Sequence, residues 1–271
     1  MAIITISRGS FAGGSAVAAA LADQLGHPCL SREDILARAA SDYGIVEAEL
    51  RQALNESPRY WEQMPGKRMA YVKCLTAVLL EQARDGNLVY HGNVGHLLLA
   101  GIAHVLRVRV TADLGYRLQA AMKQAGLSRE KALAHIRQVD EERRRWARAL
   151  YGVEWDDPTQ YHLTLNLGPV GVATASAVIA RLSEAPEFAP TPESRRQFED
   201  ARLASRVWAA LAKNPVSRSA GIQVTAHDGE VVITGNVGTA EAVELIPRLA
   251  RGVEGVRSVR SEAGMGSDWY W

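Results

Sequence analysis

The opening stretch Ile3 to Leu25, IITISRGSFAGGSAVAAALADQL, constrains the fold more than any other part of the chain. Ile3, Ile4 and Ile6 read as a buried strand and Gly9 to Ser15 as a glycine-bearing turn. A helix follows, with Val17, Leu21 and Leu25 on one face. Strand, glycine-rich loop, helix is the frame of a phosphate-binding loop. Glycines let the backbone curl until successive N–H groups and the helix N-terminus point at one anion. The strong form of the motif is G-x-x-x-x-G-K-[ST], in which the lysine reaches the outer phosphates. Gly9 and Gly14 give both glycines at that spacing, but Ser15 follows and no lysine precedes Lys67. The residues leave two readings open: an anion site, or a βα turn that only packs.

A chain of 271 residues with 47% hydrophobic content can bury one large domain, or a medium and a small one. A net charge of +1 argues against a general nucleic-acid binder. Cys29 and Cys74 lie in different segments and imply neither a disulfide framework nor a metal site; each is expected to be a small buried residue. Neither a leader pattern nor an apolar run long enough for a transmembrane segment is evident, so a cytoplasmic protein is expected.

Downstream, His27 to Leu30 reads as a second strand, and Ser31 caps a helix through Ile35, Leu36 and Ala39 with Asp34 as its partner. Residues 44–66, with Tyr60 and Trp61, read as a mobile, partly helical insertion; Met69 to Ala83 is a long helix. Strands at Asn87–His91, Val105–Thr111 and Tyr161–Asn166 alternate with helices at Val94–Ala100, after a cap at Asp113 or Thr111, after Ser128 and at Val170–Leu182. That order predicts an α/β domain over 1–184, a parallel sheet with helices on both faces. Residues 185–197, with Pro186, Pro190 and Pro192, read as a linker. The segment 198–263 then reads as a small αββαβ unit with a hairpin at Asp228-Gly229 and a proline, Pro247, inside its second helix. The tail 264–271 ends in Trp269-Tyr270-Trp271, read as a disordered terminus or a docking peptide.

The helix after Ser128 carries the second informative stretch, HIRQVDEERRRWARAL. Arg143 falls on its apolar face with Ile136, Val139, Trp146 and Leu150, and a buried-side arginine needs a partner. One reading pairs it with Asp140 and leaves Arg144, Arg145 and Arg148 solvated. The other makes Arg143 and Arg144 a lid over a transferring phosphoryl group. His91 at a strand end, and His162 beside Tyr161, read as hydrogen-bonded core residues or as catalysts.

Residues 3–182 resemble the cytidylate kinase-like family of P-loop proteins. The match runs through ITISR (Ile4 to Arg8), Gly13-Gly14, VYHG (Val89 to Gly92), VLRVRV (Val105 to Val110), Tyr116-Arg117, GLS (Gly126 to Ser128), VDEER (Val139 to Arg143), Trp155-Asp156-Asp157-Pro158, Tyr161 and Leu165-Asn166. The resemblance implies a P-loop NTPase-like sheet, ATP and Mg²⁺, and phosphoryl transfer to a nucleoside monophosphate or a similar small acceptor. It implies phosphate binding by Arg8, Gly9, Ser10, Gly13, Gly14 and Ser15, catalytic roles for Asp140, Arg143 and Arg144, and acceptor binding by Asn93 and Arg117; with no metal-ligand spacing in the residues, no metal site is expected. In this branch a glycine, here Gly14, commonly stands at the P-loop lysine position. The usual loop is similar to S-R-E-x-G-S-G-G; here Gly9 replaces the acid, Phe11 and Ala12 replace Gly-Ser, Ser31 stands for a usual Asp, and Asn93 for a usual Arg.

Residues 198–262 resemble a BON domain through IQVTAHDGEVVITGNV (Ile222 to Val237) and Gly252 to Val256. The resemblance implies a small-ligand, lipid-surface or protein docking module, or a packing and dimerising appendage in a homo-oligomer. Three functions follow as expectations: an ATP-dependent kinase regulated by the C-terminal module, a degenerate kinase that senses a nucleotide or other small anion, or a scaffold.

Overall fold

The computed structural model describes residues 2–55, 65–92, 94–218 and 220–265, with the side chains of 53–55, 65 and 66 left aside. Two compact units emerge. One holds the chain up to Asp34 and from Gln82 to Thr191; the other holds Ile35–Leu54, the helix up to Glu81, and the described chain from Pro192 onward.

In the first unit, β1 (Ile3–Arg8), β2 (Cys29–Ser31), β3 (Val89–Gly92), β4 (Val105–Thr111) and β5 (Leu163–Asn166) form a parallel sheet in the order β2-β3-β1-β4-β5. β3 lies on one side of β1 and β4 on the other, so the strand order reverses at β1, where open sheets of this kind bind ligands. Side chains alternate across β1. Ile4 and Ile6 join Val89, Leu106, Val108 and Val110 under Val17 and Leu21 of α1 (Gly14–Leu25) and Ala175 and Ile179 of α8 (Val172–Ser183). On the opposite face Gly95, in the short helix α5 (Gly95–Leu98), approaches Thr5 and Tyr90 so closely that a Cβ would lie 2.5 Å from the tyrosine ring. Burying each large aliphatic side chain here contributes about 1.5–3 kcal/mol.

Helix starts follow their local chemistry. Ser31 and Asp34 exchange hydrogen bonds at the head of α2 (Arg32–Tyr43). Asp113 caps α6 (Leu114–Ala125) and Ser128 caps α7 (Arg129–Tyr151). Cys29 departs from expectation: it is exposed, because β2 is a three-residue edge strand, whereas Cys74 is buried.

In the second unit, part of the expected insertion is regular: α3 (Glu47–Asn55) precedes α4 (Pro65–Gln82), while Tyr60 and Trp61 lie outside the described residues. α4, expected as a long helix over Met69 to Ala83, is buried all round from Ala70 to Leu80 apart from half-buried Lys73. α9 (Pro192–Ala212) begins six residues before the expected Phe198, since a proline is well suited to a helix's first turn. A four-residue helix α10 (Pro215–Arg218), the hairpin β6 (Gly221–His227) and β7 (Glu230–Val237), α11 (Ala240–Arg251), β8 (Ser258–Ser261) and β9 (Gly264–Met265) follow. β7 is the centre of this sheet, antiparallel to β6 and parallel to β8 and β9. α11 runs through Pro247 without ending there. The aromatic tail residues Trp269 to Trp271 lie outside the described residues.

Candidate functional site

The loop from Arg8 to Ser15 is built by backbone bonds and by two glycines. Gly9 N–H donates to Val110 O at 3.1 Å and Ala12 N–H to Gly9 O at 3.2 Å, which curls the chain at the end of β1. Gly13 is left-handed, with φ 76°, and precedes α1 without a side-chain cap. A Cβ there would lie 2.8 Å from Leu167 Cδ1 and 3.1 Å from the Tyr116 hydroxyl. The Gly13 carbonyl accepts from Ala16 and Val17. The amides of Gly14 and Ser15 have no acceptor among the described residues, the open donors of a helix start.

Phe11 also has a positive φ, 56°. Its ring packs on the cluster of Leu118, Ala121, Ala132 and Ile136 between α6 and α7, with its centroid 5.8 Å from that of His135. The bulky residue is thereby anchored on the helices beside the loop.

Arginines surround the loop. Arg117 donates through Nε to Ser10 O at 2.8 Å and through Nη2 to Ser10 Oγ at 2.7 Å, and it pairs with Asp140 at 2.8 Å. Ser10 Oγ in turn donates to Asp140 at 3.2 Å. Asp140 is buried, and this closed triangle clamps the loop. Arg143 Nη1 donates to Arg8 O at 2.8 Å, and its guanidinium stands 5.5 Å from the ring centroid of buried Trp155. Arg109 meets the same ring at 4.8 Å. Burial lowers the Arg143 pKa to about 10, with Asp140 opposing and Arg32, Arg8 and Arg117 adding to the fall. Arg143 therefore stays charged at neutral pH. Arg144, further out, pairs with Asp156 at 2.7 Å.

The parallel sheet, the curled loop at its reversal point and the arginine helix over it carry a known pattern: the profile of the cytidylate kinase-like family matches residues 3–169. The chain belongs to the cytidylate kinase-like family. Residues 199–263 match the BON domain. Similar relatives are a cytidylate kinase of Ignicoccus hospitalis, 27% identical over 67% of this chain and 99% of its own length, and one of Natronomonas pharaonis, 27% identical over 63% and 84%. Among solved structures, an uncharacterized protein from Eubacterium ventriosum aligns over 68% of this chain and 99% of its own with TM-score 0.53 and 18% identity, a likeness of fold.

Within the kinase-like unit, Arg8, Gly9, Ser10, Gly13, Gly14 and Ser15 form the loop itself. Asp140, Arg143 and Arg144 all lie on α7, but the pairing differs from the one read off the helix: Asp140 holds Arg117, while Arg143 holds a backbone carbonyl. Residue 117 is close to residue 140 only because α6 and α7 pack as a pair, which no helical spacing reveals. Arg117, expected on the acceptor side, commits its donors to the loop. Asn93 lies outside the described residues. His91, at the end of β3, has no described partner for Nδ1, and burial and Arg8 lower its pKa. His162 accepts from the Arg107 amide at 3.1 Å.

Sequence reasoning did not select Glu33, Trp155, Arg109 or Tyr116 as site residues. Trp155 had a usable signal, the W-x-D-P-x-x-Y pattern; Glu33, an exposed-looking acid in a helix's first turn, had none.

Proposed function

We propose that the protein is an ATP-dependent kinase whose loop, Arg8 to Ser15, binds the phosphates of a nucleotide and whose arginine helix stabilises phosphoryl transfer to a nucleoside monophosphate or a similar small acceptor. One observation carries this reading: the open amides of Gly14 and Ser15 lie beside a loop braced by Arg117 and Arg143. The family and the two cytidylate kinase relatives support it.

In the proposed mechanism the α1 N-terminus takes a phosphate, Asp140 and Arg117 hold Ser10 in place, and Arg143 presents charge to the transferring group. Mg²⁺ entering with the nucleotide would neutralise phosphate oxygens, and exposed Ser15 is the loop hydroxyl able to reach it. Among the described residues no cluster of His, Cys, Asp and Glu could hold a metal on its own. The nucleotide pool such an enzyme uses places its work in the cytoplasm; no described helix is long and apolar enough to cross a membrane. The BON domain is proposed as its regulatory or docking module, with a small ligand, lipid surface, protein or second copy of the chain as partner. A second reading, a nucleotide sensor without transfer, draws support from Arg143 being tied to the Arg8 carbonyl.

Thermal unfolding with ATP, ADP and CMP, with and without Mg²⁺, tests binding, since a ligand of the native state raises Tm. We expect ATP to raise it; no shift with any nucleotide overturns the nucleotide reading. Turnover of a nucleoside-monophosphate panel is expected to fall about 10³-fold in Arg143→Ala. A Tm shift without turnover in the wild type selects the sensor.

A further inference from the structure

No lysine stands in the loop or at the start of α1, and the structure shows which side chain occupies the space over Gly14 instead. A Cβ built on Gly14 would lie 2.5 Å from Arg8 Cβ and 3.5 Å from Arg8 Cδ. The Arg8 side chain therefore passes directly over the first residue of α1. Its own backbone is fixed: β1 pairs Arg8 with Val110, and Arg143 holds its carbonyl.

The guanidinium is held far less firmly. Its only carboxylate within 4.0 Å among the described residues is Glu33, at 3.6 Å. The Glu33 carboxylate makes its closer contacts with Arg32, at 2.9 and 3.2 Å. Arg8 is also partly buried; burial lowers its pKa, Glu33 opposes that fall and Arg32 adds to it. Beside it lie the open amides of Gly14 and Ser15.

Resting on the nucleotide-binding reading above, we infer that Arg8 takes over the task of the missing lysine. On binding, its guanidinium leaves Glu33 and grips the outer phosphates of a nucleoside triphosphate, and position 14 is glycine because the Arg8 stem needs that space. An arginine fork can hold two phosphate oxygens at once, where a lysine offers a point charge.

Isothermal titration of the full-length protein with ATP, ADP and CMP tests this, with Tm measured for every variant. Arg8→Gln keeps the stem and removes the charge; we expect ATP affinity to fall by about 10- to 100-fold, with a smaller loss for CMP. Glu33→Gln releases the guanidinium and is expected to tighten ATP binding severalfold. Gly14→Lys alone should bind poorly, because its Cβ meets Arg8. Arg8→Gly with Gly14→Lys, which moves the cation to the other position, should recover ATP binding. Wild-type-like ATP affinity in Arg8→Gln, or weaker affinity in Glu33→Gln, overturns the inference and leaves the nucleotide reading standing. A wild-type protein that binds no nucleotide removes both.

Discussion

Glycine does opposite work in the two units. In the loop between β1 and α1, a side chain on Gly14 would meet another side chain, Arg8, and the nearby amides stay open. In the BON-domain hairpin, Gly235 has φ 111°, and a side chain there would lie 2.3 Å from the Gly221 carbonyl oxygen, within the β6–β7 ladder. Under the proposed reading, the first glycine clears space for the Arg8 side chain and an incoming anion. The second lets two backbones close on each other and leaves nothing to bind. A glycine facing backbone is part of the scaffold, and a glycine facing a loosely held charge is a candidate for function.

The units also differ in how they are assembled from the chain. The kinase-like sheet draws on the segments before Asp34 and after Gln82, whereas the intervening helices belong with the C-terminal module. The largest expected effect follows from this. A chain ending at Thr191 should lose order in residues 35–54 and 67–81 as well, because the buried stretch Ala70 to Leu80 is deprived of the rest of its unit. Limited proteolysis and circular dichroism would detect new cleavage there; an intact, protected α4 would break the comparison.

The glycine contrast is sharpened by paired substitutions. Gly235→Ala combines a left-handed φ with backbone overlap and should cost about 2–4 kcal/mol of stability in denaturant unfolding, while the ATP-induced rise in Tm persists. Gly14→Ala should do the reverse: a smaller loss of stability and a large loss of the ATP effect. Equal behaviour of the two variants would remove the distinction.

The smallest effect concerns acid. His96 is buried in the kinase-like unit and its ring lies 3.2 Å from the Tyr161 hydroxyl. Burial first, then Arg107 and Arg109, lower its pKa from 6.5 to about 3. Between those values the unfolded chain binds the extra proton and the folded chain does not, so this group's contribution to stability falls as pH drops from 6.5 toward 3. Denaturant midpoints at pH 7.5 and 5 should show the decline, and His96→Gln should flatten it.

Much of both units was legible because their signals are local. The β1–loop–α1 frame, the caps at Ser31, Asp113 and Ser128, and the Asp228-Gly229 hairpin each depend on residues a few positions apart, where propensity and capping act. Local pattern also placed Gly13, Gly14 and Arg143 near one another in expectation. It missed the exposure of Cys29, since only the strand order makes β2 an edge. The helix α4 was legible, but its all-round burial was not, since an apolar helix reads the same whether one side or every side is covered.

By itself, then, the sequence determined the order of strands and helices, the glycine turn and the supply of arginines, because these depend on neighbours along the chain. Only the tertiary structure decided which arginine holds what. Arg117 reaches Ser10 across 107 positions and Arg143 reaches Arg8 across 135. Such pairings are selected by packing and by the cost of leaving a buried charge without a partner, and neither is written in any short stretch of residues.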